Sequence, residues 1–155
     1  MSAGSSVENV RPLVSTDIPR ILLLVRSCPE AAQWTPSEFE LGIGDVHGWV
    51  IGDREIVFGF LAVRTIVLAH EMELLNLAVG PSWRRKGFAS ALLNVALSDC
   101  RERGYHSVFL EVRESNHRAI SFYKKHGFAP SGRRPNYYRN PEEAALTMSL
   151  LLAAN

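Results

Sequence analysis

Hydrophobic positions along the chain change period several times, and each change marks an element. Val7 to Val14 predicts a first strand. Ser15-Thr16-Asp17 then starts a helix that tolerates Pro19 in its first turn and buries Ile21 to Val25. Thr35-Pro36-Ser37-Glu38 has capping-box spacing with proline at the first helical position, which predicts a second helix. Trp49-Val50-Ile51 and Ile56 to Val67 read as strands joined by a turn at Gly52-Asp53-Arg54, and Glu71 to Val79 as another strand. Ala89, Leu92, Leu93, Ala96, Leu97 and Cys100 recur at helical spacing, and Gly104 follows Arg101 and Arg103 as a stop. Ser107 to Arg113 is a short strand, and Asn116 to His126 a helix closed by Gly127. Strands around Phe128 to Tyr138 and Ala144 to Leu152 flank the polar link Arg139-Asn140-Pro141-Glu142-Glu143. Strands that first pair antiparallel and then alternate with helices predict a mixed, three-layer α/β sheet.

Composition narrows the class. With 155 residues, 46% of them hydrophobic, one core is expected, with Met1 to Ser6 as a disordered tail and residues 7–152 as a single domain. The apolar runs Ile21 to Val25 and Ile56 to Val63 are too short and interrupted to span a bilayer, and the N-terminus lacks the pattern of a signal peptide. Cys28 and Cys100 form neither a C-x-x-C nor a metal spacing, and Cys100 falls on an apolar helical stripe, as a buried thiol does. No metal site is expected, and a cytoplasmic location fits. A formal charge of +1 argues against broad nucleic-acid binding, because the basic residues are local.

The most local of them carry the candidate chemistry. Leu74 to Val79 is an apolar strand that stops at Gly80-Pro81 and feeds the basic loop Arg84-Arg85-Lys86-Gly87 before a long amphipathic helix. Free backbone N–H groups, the positive end of a helix dipole and cationic side chains meet there, and such a point binds phosphate. Exposed basic side chains at a helix N-terminus oppose its dipole by about 0.3–1 kcal/mol each, a cost that an anion relieves. A solvated helix start with glycine serving only a turn is the plain alternative for so short a motif. No G-x-G-x-x-G is present, and Lys86-Gly87 reverses the order of a P-loop ending.

The spacing Arg84-x-x-Gly87-x-Ala89 resembles the Gln/Arg-x-x-Gly-x-Gly/Ala pyrophosphate loop of the GNAT family of acyl-CoA N-acyltransferases. The resemblance implies a mixed sheet of about seven strands with a splayed central pair, flanked by about four helices. It implies acetyl-CoA as cosubstrate, with Arg84, Arg85, Lys86, Gly87, Phe88, Ala89 and Ser90 around the pyrophosphate. The backbone of Leu77, Ala78 and Val79 would then pair with the pantetheine arm. Further downstream, Leu110-Glu111-Val112-Arg113-Glu114-Ser115-Asn116, Ala119-Ile120-Ser121-Phe122-Tyr123, Gly127-Phe128 and Arg134-Pro135-Asn136-Tyr137-Tyr138 resemble the RimI-type ribosomal-protein-alanine N-acetyltransferases of that family. Trp34-Thr35-x-x-x-Phe39 is similar to a segment of the same group.

The residues bear on that chemistry independently. Alternation in Ser107 to Arg113 puts Phe109, Glu111 and Arg113 on one face and Val108, Leu110 and Val112 on the other. A carboxylate in so apolar a strand is costly unless paired, and burial raises its pKa toward that of a general base. The alternative is an ion pair with Arg113 or another base at a sheet edge. Asn116 and Tyr123 lie two helical turns apart on a stripe with Ala119 and Ile120, which packing alone would also explain. The resemblance implies Glu111 as base, Tyr123 as acid to the departing thiolate, and Asn116 on the cofactor.

It also implies an acceptor groove walled by Trp34 to Leu41 and by Tyr137 and Tyr138, which takes the N-terminus of a protein, a ribosomal one for this group. Pro135 stands where the group often has a basic residue, and Pro141-Glu142-Glu143 alters the next loop. Glu73 is a rival base, six residues before Val79, where many other GNAT enzymes keep their glutamate; it would suit a lysine or small amine. A non-catalytic acyl-CoA-binding module is a third class, and neither it nor a cofactor site alone requires Glu111 and Tyr123.

Overall fold

The computed structural model describes residues 10–32, 46–53 and 55–153. Seven strands form one sheet in the order β1-β2-β3-β4-β5-β7-β6. They are β1 (Val10–Pro12), β2 (Val46–Gly52), β3 (Val57–Ile66), β4 (Glu71–Val79), β5 (Ser107–Arg113), β6 (Ala129–Tyr138) and β7 (Glu143–Leu151). Three α-helices accompany them: α1 (Ile18–Arg26), α2 (Phe88–Glu102) and α3 (His117–Lys125). Three 3-10 turns also lie among the described residues, at Ser15–Asp17, Val67–Ala69 and Pro81–Trp83. The sheet matches the expected seven strands, whereas three α-helices are seen where about four were expected. The helix expected from Thr35 lies outside the described residues, as do Trp34 to Leu41 and Met1 to Ser6.

Every neighbouring pair is antiparallel except β4 and β5, which run parallel in the centre. Helix α2 makes the crossover between them, as a parallel connection requires. Its apolar stripe, with Leu92, Leu93 and Cys100 fully buried, packs on Leu61, Val63, Met72, Val108 and Leu110. Each such leucine contributes about 1.5–3 kcal/mol by leaving water. Helix α3 adds Tyr123 to that cluster. Ile21, Leu24 and Val25 of α1 cover the opposite face, on Val50, Phe60, Ala62 and Ala78. The start of α1 is pinned by buried Asp17, whose carboxylate takes two Arg11 contacts at 2.6 and 2.8 Å and the Val14 N–H at 2.9 Å.

One irregularity parts the centre of the sheet. Asn76 pairs with Ala62 and Leu74 with Val63, so Leu75 has no partner on β3: β4 carries a bulge there. The parity of β4 inverts at that point. Met72 and Leu74 face the α2 side before it; after it Leu77 faces that side, and Ala78 faces α1. Pairing with β5 stops at the same place, with Leu74 opposite Leu110 as the last register pair. Both strands continue, to Val79 and Arg113, but apart. Asn76, just past the bulge, is buried and donates its side-chain N–H to the Ala32 carbonyl at 2.9 Å, which ties the departing strand to the segment after α1.

Candidate active site

The gap between the parted strands opens into a cleft of about 610 Å³. Leu77, Ala78 and Val79 form its strand wall. Arg84, Arg85, Gly87, Phe88, Ala89 and Ser90 line its loop wall. Asn116 and Tyr123 line it from α3. These are the residues singled out in the sequence for the cofactor, together with Tyr123, and the fold brings them to one place. Lys86 is exposed and outside the cleft lining.

The loop is built for exposed amides. Gly87 has φ +82°, in the left-handed region, with no atom within 4 Å of where a Cβ would stand. Arg85 shares that region, at φ 62°. The turn aims the chain into α2, whose first internal acceptor bond is Ala91 N–H to Gly87 C=O at 3.0 Å, so the preceding amides have no helical partner. Phe58 stacks on Trp83 at 4.0 Å and on Phe88 at 5.5 Å, which anchors both ends of the loop to β3. Arg84 behaves differently from its neighbours. Its Nε donates to the Val79 carbonyl at 3.2 Å and its guanidinium pairs with Glu30, so its charge serves the strand end.

At the other end, the Asn116 side chain caps α3 by accepting the Ala119 N–H at 3.2 Å. Tyr123 is buried, and burial pushes its hydroxyl pKa well above the ordinary 10.0, with a smaller push from Tyr138. The phenol is therefore held in its protonated form, as a proton donor requires.

Glu111 lies on the other face of β5, opposite the cluster that holds Tyr123. Its side chain is 10% exposed, and its Oε2 is buried with no hydrogen-bond partner among the described residues. The alternative of an ion pair with Arg113 or another base at a sheet edge holds only in part, through a different base, Arg134. Arg113 does not pair with it: that guanidinium takes Glu143 at 3.2 Å and the Pro141 carbonyl at 3.0 Å, and lies 4.5 Å from the Tyr138 ring centre. Nor is β5 a sheet edge, since β4 and β7 flank it. The nearest cation is Arg134, at 3.5 Å from Oε1 and itself 60% exposed, too long for a good hydrogen bond.

Glu73 is on the same face of the sheet as Glu111, opposite Phe109 in register. Burial raises its pKa, an effect opposed by Arg64 at 3.2 Å and reinforced by Glu111. Tyr137 and Tyr138 stand beside this pair with rings 5.0 Å apart and perpendicular. Burial raises both hydroxyls, that of Tyr138 to about 12, and the Glu111 carboxylate adds to each shift, for Tyr137 through its charge and a side-chain hydrogen bond. Neither cysteine competes as a nucleophile, since both are buried thiols, and burial pushes Cys100 up to about 11. No group of three or more metal-ligating side chains occurs among the described residues.

The sequence reading missed Glu30, Trp83, Arg118, Phe122 and Lys125 as cleft residues. Arg118 and Lys125 are seven apart, so helical periodicity could have placed these two cations on one stripe. Glu30 had no such signal, because its partner Arg84 is 54 residues away. The lining suits an elongated polyanion with an apolar, thioester-bearing arm: it combines free amides and the cations Arg85, Arg118 and Lys125 with Leu77, Phe122 and Tyr123.

Comparison with known proteins agrees. The acetyltransferase (GNAT) family model matches residues 19–128. The [ribosomal protein bS18]-alanine N-acetyltransferase of Escherichia coli K12 is 39% identical over 146 residues, covering 93% of this chain and 97% of that one. The crystal structure of the E. coli ribosomal-protein-S18-alanine N-acetyltransferase superposes with a TM-score of 0.82 and 27% identity, over 94% of each chain. That of Ard1 from Thermoplasma volcanium gives 0.81 and 30%, over 93% of this chain and 97% of its own. With the left-handed glycine loop and parted central strands both in place, the chain belongs to the GNAT acetyltransferase family, as a RimI-like N-acetyltransferase.

Proposed function

We propose that this protein transfers the acetyl group of acetyl-CoA to the N-terminal amine of a protein, with the alanine terminus of a ribosomal protein as acceptor. The observation that carries the reading is the buried, unpartnered Glu111 Oε2, set on the sheet face opposite Tyr123 where the strands part. A buried carboxylate oxygen without a donor calls for one, and an incoming ammonium or its bridging water supplies it.

In this reading Glu111 takes a proton from the amine, the amine nitrogen attacks the thioester carbonyl carbon, and the C–S bond breaks. Tyr123 gives its proton to the departing sulfur. A backbone N–H of Leu77 to Val79 steadies the oxyanion. An α-amino group, with a pKa of about 7.7–8.0, is already neutral in roughly a tenth of molecules at pH 7, so one carboxylate is a sufficient base. A lysine amine, at about 10.4, would be neutral in only a few per ten thousand. The relatives named for bS18-alanine acetylation support the choice of acceptor. The cytoplasm is the compartment such an acceptor requires; no described helix is long and apolar enough to cross a membrane.

The raised pKa of Glu73 favours a second reading, in which Glu73 is the base and a lysine or small amine the acceptor. Thiol release from acetyl-CoA, measured against peptides differing only in their first two residues and against lysine and polyamine acceptors, separates the two. Turnover with alanine-starting peptides and none with free side-chain amines is expected. The reverse pattern overturns the proposal, and the absence of thiol release with every acceptor would leave only a binding module.

A further inference from the structure

One polar contact bridges the two helices that flank the cleft, and the chemistry above makes no use of it. Ser90 stands in the first turn of α2 and lines the cleft. Its Oγ lies 3.1 Å from Nε2 of His126, the residue that closes α3. The histidine is fixed on its other sides. Its backbone N–H bonds the Tyr123 carbonyl at 3.0 Å, and its ring leans on Phe122, another cleft residue, at 4.7 Å between centres. The imidazole thus spans from the last turn of α3 to the N-terminus of α2, at the end of the cleft where the free amides lie.

A serine hydroxyl has one proton to give. If Ser90 spends it on His126, its lone pairs face the cleft and repel an anion. If His126 donates instead, the Ser90 proton is free to point at that anion. The choice depends on which ring nitrogen of a neutral imidazole carries the hydrogen. Burial and the neighbouring Lys125 lower the His126 pKa, which favours that neutral form at neutral pH.

We propose that His126 is a positioning residue of the cofactor cleft: as the Nε2–H tautomer it donates to Ser90 Oγ and turns the Ser90 hydroxyl proton toward the pyrophosphate of the bound cosubstrate. This rests on the reading of the cleft as the acyl-CoA site. The relay ends at the phosphates, away from the thioester, so its contribution belongs to cosubstrate affinity and not to the acyl-transfer step. It also belongs only to ligands that carry the pyrophosphate.

Calorimetric titration with coenzyme A, and steady-state kinetics with acetyl-CoA or S-acetylpantetheine, test this on the full chain. His126→Ala is expected to weaken coenzyme A binding by roughly 3–10-fold, the scale of one such hydrogen bond, with the loss appearing in the KM for acetyl-CoA rather than in kcat. His126→Gln, whose amide N–H can donate to the same oxygen, recovers most of it. Ser90→Ala loses as much as His126→Ala, and the double variant loses no more than either alone. S-acetylpantetheine, which lacks the phosphates, shows the same KM in all of them. The inference is overturned by His126→Ala binding coenzyme A as the wild type does, by equal losses for acetyl-CoA and S-acetylpantetheine, or by losses at Ser90 and His126 that add. Wild-type protein that fails to bind coenzyme A would instead take down the reading of the cleft itself, and this relay with it.

Discussion

The two faces of the parted strands are built by different means. On the face proposed for the cofactor, most of the lining comes from one stretch, Leu77 to Ser90, with backbone amides held by a turn and a helix start, and α3 adds the rest. On the face proposed for the acceptor the groups come from separate strands: Glu73 from β4, Glu111 from β5, and Arg134, Tyr137 and Tyr138 from β6, with Arg64 of β3 at the margin. A backbone site tolerates side-chain change and binds the same ligand across a family. A site assembled from distant side chains can be retuned one residue at a time. On the proposed reading, a shared cosubstrate and a variable acceptor are served by opposite construction.

The largest test of that division concerns the carboxylates. Glu111→Gln is expected to lower kcat/KM for an alanine-starting peptide by about 10²–10⁴-fold, the range for removing a general base, while coenzyme A affinity stays as it was. Glu73→Gln should cost far less. A collapse in rate confined to the Glu73 variant would exchange the roles of the two and redraw the acceptor face.

A smaller effect belongs to the cofactor face. Gly87→Ala meets no neighbouring atom, so its cost is the left-handed backbone alone, about 1–2 kcal/mol. If the loop escapes that strain by turning its amides away, coenzyme A binding weakens by roughly 5–30-fold and acceptor KM is untouched. Titration with coenzyme A checks it; unaltered affinity would show that the turn is not what aims the amides.

The smallest effect is on stability. The folded state holds the Glu73 proton more tightly than the unfolded chain does, because burial raises that carboxyl above its ordinary 4.5. The resulting cost is absent below about pH 4.5, grows as pH rises past that value and is complete above the raised folded pKa. Glu73→Gln should therefore melt at a slightly higher temperature than the wild type at pH 7, with the gain fading toward pH 4. A gain that persists at pH 4 would assign the effect to packing instead of charge.

The elements were legible because their signals are local. Glu71–Val79 and Ser107–Arg113 have the bounds that the sequence pattern indicates, and Asn116 caps a helix that Gly127 follows, at φ +94°. The loop wall of the cleft was legible for the same reason, since Arg84 to Ser90 is one motif, of which only Lys86 stays outside the lining. What could not be read were contacts between distant segments. Glu30 on Arg84, Arg134 near Glu111 and His126 on Ser90 join residues 54, 23 and 36 positions apart, and no periodicity announces such meetings. The opposite sides of the sheet taken by Glu111 and Tyr123 follow from strand parity only once α3 is known to share a face with α2.

Leu75 shows what a surplus residue is for. Taking it out would leave Asn76 to Val79 on their present partners, with Leu77 still opposite Leu61 on the α2 side, and would make the ladder to β3 continuous. The ladder to β5 could then zip to its end. A more regular fold and a sealed molecule would come from the same single deletion, so the ordering of this sheet is capped by the work its opening has to do.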